Sequence, residues 1–188
     1  MPVLIILLAA AAVILFALVV STYRLKAPPM PSSPEVREAV CKIIKKYLNQ
    51  GSIADLGSGW GGLARKIAGK FPDNHVRGVE GSLFPFLFCW ISRLMRKGKS
   101  PEFMFRNFMK PKILRRIISD TDIFLSYLSP IHMLRLKELL TIFEESGSMN
   151  KYYISIVFAF PGLAPVEVIE VNDTLRSRIL VYKISRYV

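Results

Sequence analysis

Ile53-Ala54-Asp55-Leu56-Gly57-Ser58-Gly59-Trp60-Gly61-Gly62 is the stretch on which the fold turns. An apolar run ends in an acid, four glycines follow within six residues, and an amphipathic pattern (Leu63, Ile67, Ala68, Phe71) then begins. That order reads as a strand over Ser52–Leu56, a tight loop and a helix over Gly62–Lys70. Glycine is needed where the backbone takes positive φ or lies against a ligand with no Cβ between them. The free N–H groups at the start of the following helix point toward whatever the loop holds. The segment is a cradle for a nucleotide-containing cofactor.

Outward from it, strand and helix patterns alternate. A helix over Glu35–Leu48 precedes the cradle, with Ser33 as N-cap and Pro34 at its first position. After the cradle come a strand over His75–Val79, a helix over Phe84–Lys97 and a short strand over Glu102–Phe105. A weak helix near Lys112–Ser119, a strand over Asp122–Tyr127 and a helix over Ile131–Ser146 follow. Three strand-like runs close the chain: Tyr152–Phe160, Glu167–Val171 and Ile179–Ser185. Repeated βα units with terminal strands predict a mainly parallel sheet with helices on both faces and an antiparallel pair at one edge.

Two cofactor classes fit the loop. Gly57-x-Gly59-x-x-Gly62 satisfies a dinucleotide fingerprint, with Glu80 near the offset of a ribose-binding acid. The same residues read Asp55-x-Gly57-x-Gly59-x-Gly61, the first motif of class I S-adenosylmethionine (SAM) methyltransferases. Asp55 separates the two. A carboxylate at the strand tip repels a pyrophosphate, whereas SAM brings an α-amino group and a sulfonium that attract it. Nor does the 188-residue chain offer a separate substrate domain for a dehydrogenase. The cofactor expected is therefore SAM, held by Asp55, Gly57, Ser58, Gly59, Gly61 and Glu80. Glu80 ends the second strand, where a carboxylate accepts from both ribose hydroxyls. Asn107 follows the third strand, placed to meet the adenine amino group through its side-chain oxygen. Phe84 and Phe108 are candidates to flank the adenine. Ser126-Tyr127-Leu128-Ser129-Pro130 follows the fourth strand, so Tyr127 is the acceptor-side candidate. This segment lacks the Asn/Asp-Pro-Pro-aromatic sequence that holds planar amino groups, which counts against nucleobase amino methylation.

From Val3 to Val20 no residue is charged, and those 18 positions would span about 27 Å as a helix. A signal peptide requires a basic segment ahead of the apolar run, but Arg24 and Lys26 follow it. Residues 1–22 therefore read as a transmembrane anchor, 23–34 as a Pro-rich linker and 35–188 as the cofactor domain. The basic flank puts that domain on the cytoplasmic or equivalent side of a single-pass membrane protein. Formal net charge is +12, and the 93–116 segment carries nine basic residues against the single acid Glu102. Such a segment serves as a solvated face, as a surface for anionic lipid, or, least favoured, for nucleic acid. Lipid contacts are expected at 3–20 and on the basic 93–116 face. Cys41 and Cys89 have no metal spacing and read as core thiols, and no metal site is expected.

The whole chain resembles a small family of membrane-anchored class I methyltransferases, whose characterised members methylate lysines of the mitochondrial ATP synthase c-subunit and the adenine nucleotide translocase. The resemblance runs through the anchor, Ile53–Gly62, Gly78-Val79-Glu80, Leu83–Arg93, Asp122–Met133 and Phe158–Pro161. It implies a Rossmann-like domain and lysine N-methylation of a membrane-associated protein. Three positions depart from the family pattern: Gly59-Trp60-Gly61-Gly62 replaces Gly-Asp-Gly-Arg, Glu80-Gly81-Ser82 replaces an acid followed by Leu-Asn-Pro, and Asn107 replaces an acid. The anchor equally suits methylation of a membrane quinone or lipid. The departures suit a non-catalytic binding module.

Overall fold

The computed structural model describes residues 2–25, 31–95, 98–139 and 151–184. Six helices and seven strands follow in chain order among these residues: α1 (Pro2–Leu25), α2 (Pro34–Tyr47), β1 (Ser52–Leu56), α3 (Gly62–Lys70), β2 (His75–Glu80), α4 (Leu83–Leu94), β3 (Glu102–Phe105), α5 (Pro111–Ser119), β4 (Ile123–Ser126), α6 (Pro130–Leu139), β5 (Lys151–Ile156), β6 (Glu167–Glu170) and β7 (Arg178–Ile184). The predicted ends of the helices at 84–97 and 131–146 lie outside the described residues, as do positions 26–30 of the linker and Ser185.

One seven-stranded sheet runs in the order β3-β2-β1-β4-β5-β7-β6. β1 pairs in parallel with β2 and β4, β2 with β3, and β4 with β5. β7 inserts between β5 and β6 and is antiparallel to both. Alternation along each strand splits the core into two layers. Ile53, Val76, Ile123 and Ile154 pack with α2 and α3 on one face. Ala54, Val79, Phe124 and Tyr153 pack with α5 and α6 on the other. Both predicted thiols, Cys41 and Cys89, are buried in the first layer. α2 starts where its cap predicted, with the Val36 N–H donating to Ser33 Oγ at 3.1 Å. Its buried stripe, Val36, Val40, Ile43 and Ile44, fastens it to the sheet, and each of these side chains contributes about 1.5–3 kcal/mol.

The expected anchor requires correction. Among the described residues no helix is long and apolar enough to cross a membrane. The transmembrane helix preceding the domain, the lipid contact at 3–20 and the single-pass membrane location are withdrawn with it. Nor do the basic residues of 93–116 form one surface: Arg93 lies in the last turn of α4, on the layer of Cys89, whereas Arg115 and Arg116 lie on α5, which packs on the opposite layer.

The loop glycines are set by packing as well as by φ. Gly61 has φ +71°, and a Cβ there would lie 2.6 Å from the Phe103 ring and 2.7 Å from Cys89 Sγ. Gly69, on the exposed side of α3, has nothing within 4 Å of the same position. Gly61→Ala is expected to destabilise the protein by about 2–4 kcal/mol, and Gly69→Ala to stabilise it by about 0.5–1 kcal/mol. Urea unfolding of the two variants checks the contrast.

Candidate functional site

The carboxyl ends of β1, β2, β3 and β4 converge around the glycine loop. β1 and β2 are in register at Asp55↔Gly78 and Leu56↔Val79, so the tips carrying Asp55 and Glu80 are neighbours. The loop folds back on β2: the N–H groups of Gly57 and Ser58 both donate to the Val79 carbonyl, at 2.8 and 3.1 Å. Glu80 then takes hold of it from the side. One of its oxygens accepts from the Gly59 N–H at 2.7 Å and the other from the Ser82 N–H at 2.6 Å. Glu80 thus ties the loop to β2 and also steadies the N-cap of α4.

Asp55 is 4% exposed and Glu80 6% exposed. Burial and the nearby Glu80 charge push the Asp55 carboxyl up to about 7, opposed by a hydrogen bond from the Ala64 backbone in the first turn of α3. Two buried carboxylates with this little compensation form a site of strongly negative character, which a cationic group relieves.

The loop has room for a ligand on one side. Gly59 has φ +53° and open space where a Cβ would stand, whereas the Cβ positions of Gly57 and Gly61 meet Leu128, Phe103 and Cys89. Ser58 Oγ is buried without a hydrogen-bond partner among the described residues. Behind the loop, Cys89 Sγ donates to the Gly59 carbonyl at 3.4 Å, and burial raises its thiol to about 11. Arg65 binds the Trp60 carbonyl and reaches Ser92 Oγ at 3.2 Å, with its guanidinium 5.7 Å from the Phe88 ring centroid. Sequence reading missed Arg65 because a basic residue on an amphipathic helix carries no signal of an inward contact.

The remaining candidates divide. Asn107 is exposed, and its side-chain oxygen accepts from the Met109 N–H at 3.0 Å, shaping its own loop. Phe108 is 6% exposed and belongs to the core beneath Gly57, so its expected place beside an adenine is corrected. Phe105 was overlooked: it is 41% exposed, sits opposite Glu80 in the β2–β3 register and stands 5.3 Å from the Phe86 ring. Its signal was available, since it ends the third strand as Glu80 ends the second. At β4, Ser126 is buried and hydrogen-bonded to Tyr153 Oη at 2.5 Å. Tyr127 is half-buried against the layer that Asp55 faces. Burial, then the Asp173 charge, raises its phenol above the ordinary range.

The fold as a whole matches a large set of solved structures. An RNA methyltransferase from Salinibacter ruber, in complex with S-adenosyl-L-homocysteine, superposes with a TM-score of 0.67 at 17% identity, covering 85% of this chain and 96% of that one. The rRNA methyltransferase AviRa from Streptomyces viridochromogenes gives 0.61 at 10% identity, covering 84% and 88%. The precorrin-6y C5,15-methyltransferase from Geobacter metallireducens gives 0.61 at 11% identity, covering 81% and 89%. The chain has the class I SAM-dependent methyltransferase fold. No family model and no curated protein matches it in sequence. The resemblance to the membrane-anchored lysine methyltransferases is therefore corrected to the fold alone, since neither its anchor nor a match to that family is found. The membrane tether that supported a membrane-associated lysine, quinone or lipid acceptor falls with it.

The position of Asp55 makes stability depend on pH. A folded-state value of about 7 against an unfolded value of about 3.9 means that the native protein binds this proton more tightly. The associated stability is fully present below about pH 4, declines as pH rises toward 7 and is lost above it, with a swing of about 4 kcal/mol. Asp55→Asn keeps an oxygen for the Ala64 N–H and removes the charge. It is expected to be more stable than the parent by about 2–4 kcal/mol at pH 8 and nearly equal at pH 4.5, as read from urea midpoints.

Proposed function

We propose that the chain is a SAM-dependent methyltransferase. The observation that carries this reading is the pair of buried carboxylates, Asp55 and Glu80, flanking a glycine loop that is open at Gly59. A ligand with a cationic amino-acid end, a ribose and no phosphate complements that arrangement. A dinucleotide would set two phosphate charges beside it. The orphaned hydroxyl of Ser58 fits the same assignment, since a bound ligand gives it a partner.

In this reading Asp55 holds the α-amino group and the backbone at Gly59, where no Cβ intrudes, lies against the amino-acid portion. Glu80 exchanges its bonds from Gly59 and Ser82 for the ribose hydroxyls. Phe105 offers a ring face to the adenine, and Asn107 borders it. SAM, when bound, supplies a methyl group activated by its sulfonium. The protein's contribution is to hold the acceptor in line with that methyl and to keep water away. Tyr127 serves on the acceptor side as a neutral phenol, because its raised pKa keeps the proton on oxygen at physiological pH. It positions the acceptor rather than removing a proton. The solved neighbours are described as acting on RNA and on a precorrin, so the fold names no acceptor class.

Isothermal titration with SAM is expected to show saturable binding that strengthens from pH 6 to pH 8, because the ammonium group requires Asp55 ionised. Proton release, read from buffers of different ionisation enthalpy, should accompany it. Glu80→Gln should weaken binding by roughly 10- to 100-fold. No heat at millimolar SAM would reject the assignment. Tyr127→Phe should leave SAM affinity within about twofold while lowering turnover of an identified acceptor by roughly tenfold, without moving the pH profile.

A further inference from the structure

A polar cavity of about 260 Å³ lies at the opposite end of β2 from Glu80. Asn74 and His75 bound it where α3 turns into β2. Lys99, Ser100 and Glu102 bound it where the chain enters β3, and Arg93 bounds it in the last turn of α4. Five residue steps along β2 separate His75 from Glu80, about 16 Å of extended chain. The cavity is thus distinct from the cofactor loop.

Its chemistry is one-sided. Asn74 Nδ2 and Ser100 Oγ are buried and have no hydrogen-bond partner among the described residues. Asn74 is only 7% exposed, and its backbone is pinned by an N–H bond to the Phe71 carbonyl at 3.1 Å. A structural role would favour an apolar side chain there, because a buried unpaired donor is unfavourable. Arg93 and Lys99 are exposed at the rim, and neither forms an ion pair among the described residues. Glu102 is the acid of the lining, and its carboxylate is turned to His75 Nε2 at 3.3 Å. Buried donors below and two cations above complement an oxyanion.

We infer that this cavity binds a small phosphorylated molecule through its phosphate group, with Asn74 and Ser100 donating from beneath and Arg93 and Lys99 closing over it. The recess selects the source of the phosphate. A nucleic-acid backbone phosphate carries two ester links that hold it at the surface, whereas a terminal phosphate monoester can reach Asn74. The size suits a compact metabolite, since the cavity is near the lower end of ligand-pocket volumes.

The test uses the full chain, titrated with inorganic phosphate and with glycerol 3-phosphate, and separately with a duplex RNA oligonucleotide. Arg93→Gln and Lys99→Gln alter exposed side chains and should leave the thermal unfolding midpoint unchanged. Each should weaken both small phosphates roughly tenfold, the loss for one charge-assisted hydrogen bond. Asn74→Asp, which sets a carboxylate beneath the phosphate, should abolish binding. SAM affinity should be the same in all three variants, which keeps this site separable from the cofactor assignment. The inference is overturned if neither small phosphate binds saturably, or if the Arg93→Gln/Lys99→Gln double variant binds them as the parent does. It is likewise overturned if only the RNA binds and the substitutions remove that binding.

Discussion

The hydrogen bond from the Gly59 N–H to Glu80 holds the functional end of this molecule together. It joins the middle of the loop to the last residue of a buried strand. With the paired bonds from Gly57 and Ser58 to Val79, it sets the loop's height above the sheet. Everything on the cofactor side follows from that height: the opening at Gly59, the orphaned Ser58 hydroxyl and the burial of Asp55 behind the loop. Glu80 is both part of the scaffold and the group that the proposed ligand would claim. The ligand-free state is stabilised by contacts that binding must replace.

A second constraint comes from below. Phe103 and Cys89 press against the Cβ positions of Gly61 and Gly78. This close approach lets α4 and β3 support the loop, and Arg65 ties the same region to the Trp60 carbonyl and Ser92. The loop is thus gripped by a buried carboxylate on one side and by a sulfur, an aromatic ring and a guanidinium on the other. The electrostatic strain sits at Asp55, whose proton is held to about neutral pH by burial and by Glu80. Sites that bind cationic ligands with buried acids are less stable without the ligand than an uncharged core would be.

Charge on this chain is distributed rather than concentrated. The basic run at 93–116 looked like one surface because its residues are close in sequence, but α4 carries Arg93 on one layer and α5 carries Arg115 and Arg116 on the other. The part that converges is small: Arg93 and Lys99 over the buried donors of Asn74 and Ser100. Convergence in space, not density along the chain, makes a binding site.

Local patterns determined most of the architecture. β1 and α3 have the bounds read from the chain, because alternation, a glycine loop and helical periodicity are each encoded within a few residues. That Asp55 and Glu80 lie at the tips of adjacent strands was legible for the same reason, since one is the penultimate residue of β1 and the other the last of β2. The structure alone decided which aromatics are core and which are free, burying Phe108 and exposing Phe105, because that depends on which layer each strand faces. It also decided that Asn107 bonds its own loop, that Ser126 turns to Tyr153, and that Asn74 and Ser100 line one cavity. Long apolar runs are ambiguous in sequence, and the anchor assigned to residues 1–22 was not sustained by the described helix. Contacts between segments distant in the chain are settled by the packing of the whole sheet, and no short stretch of residues carries that information.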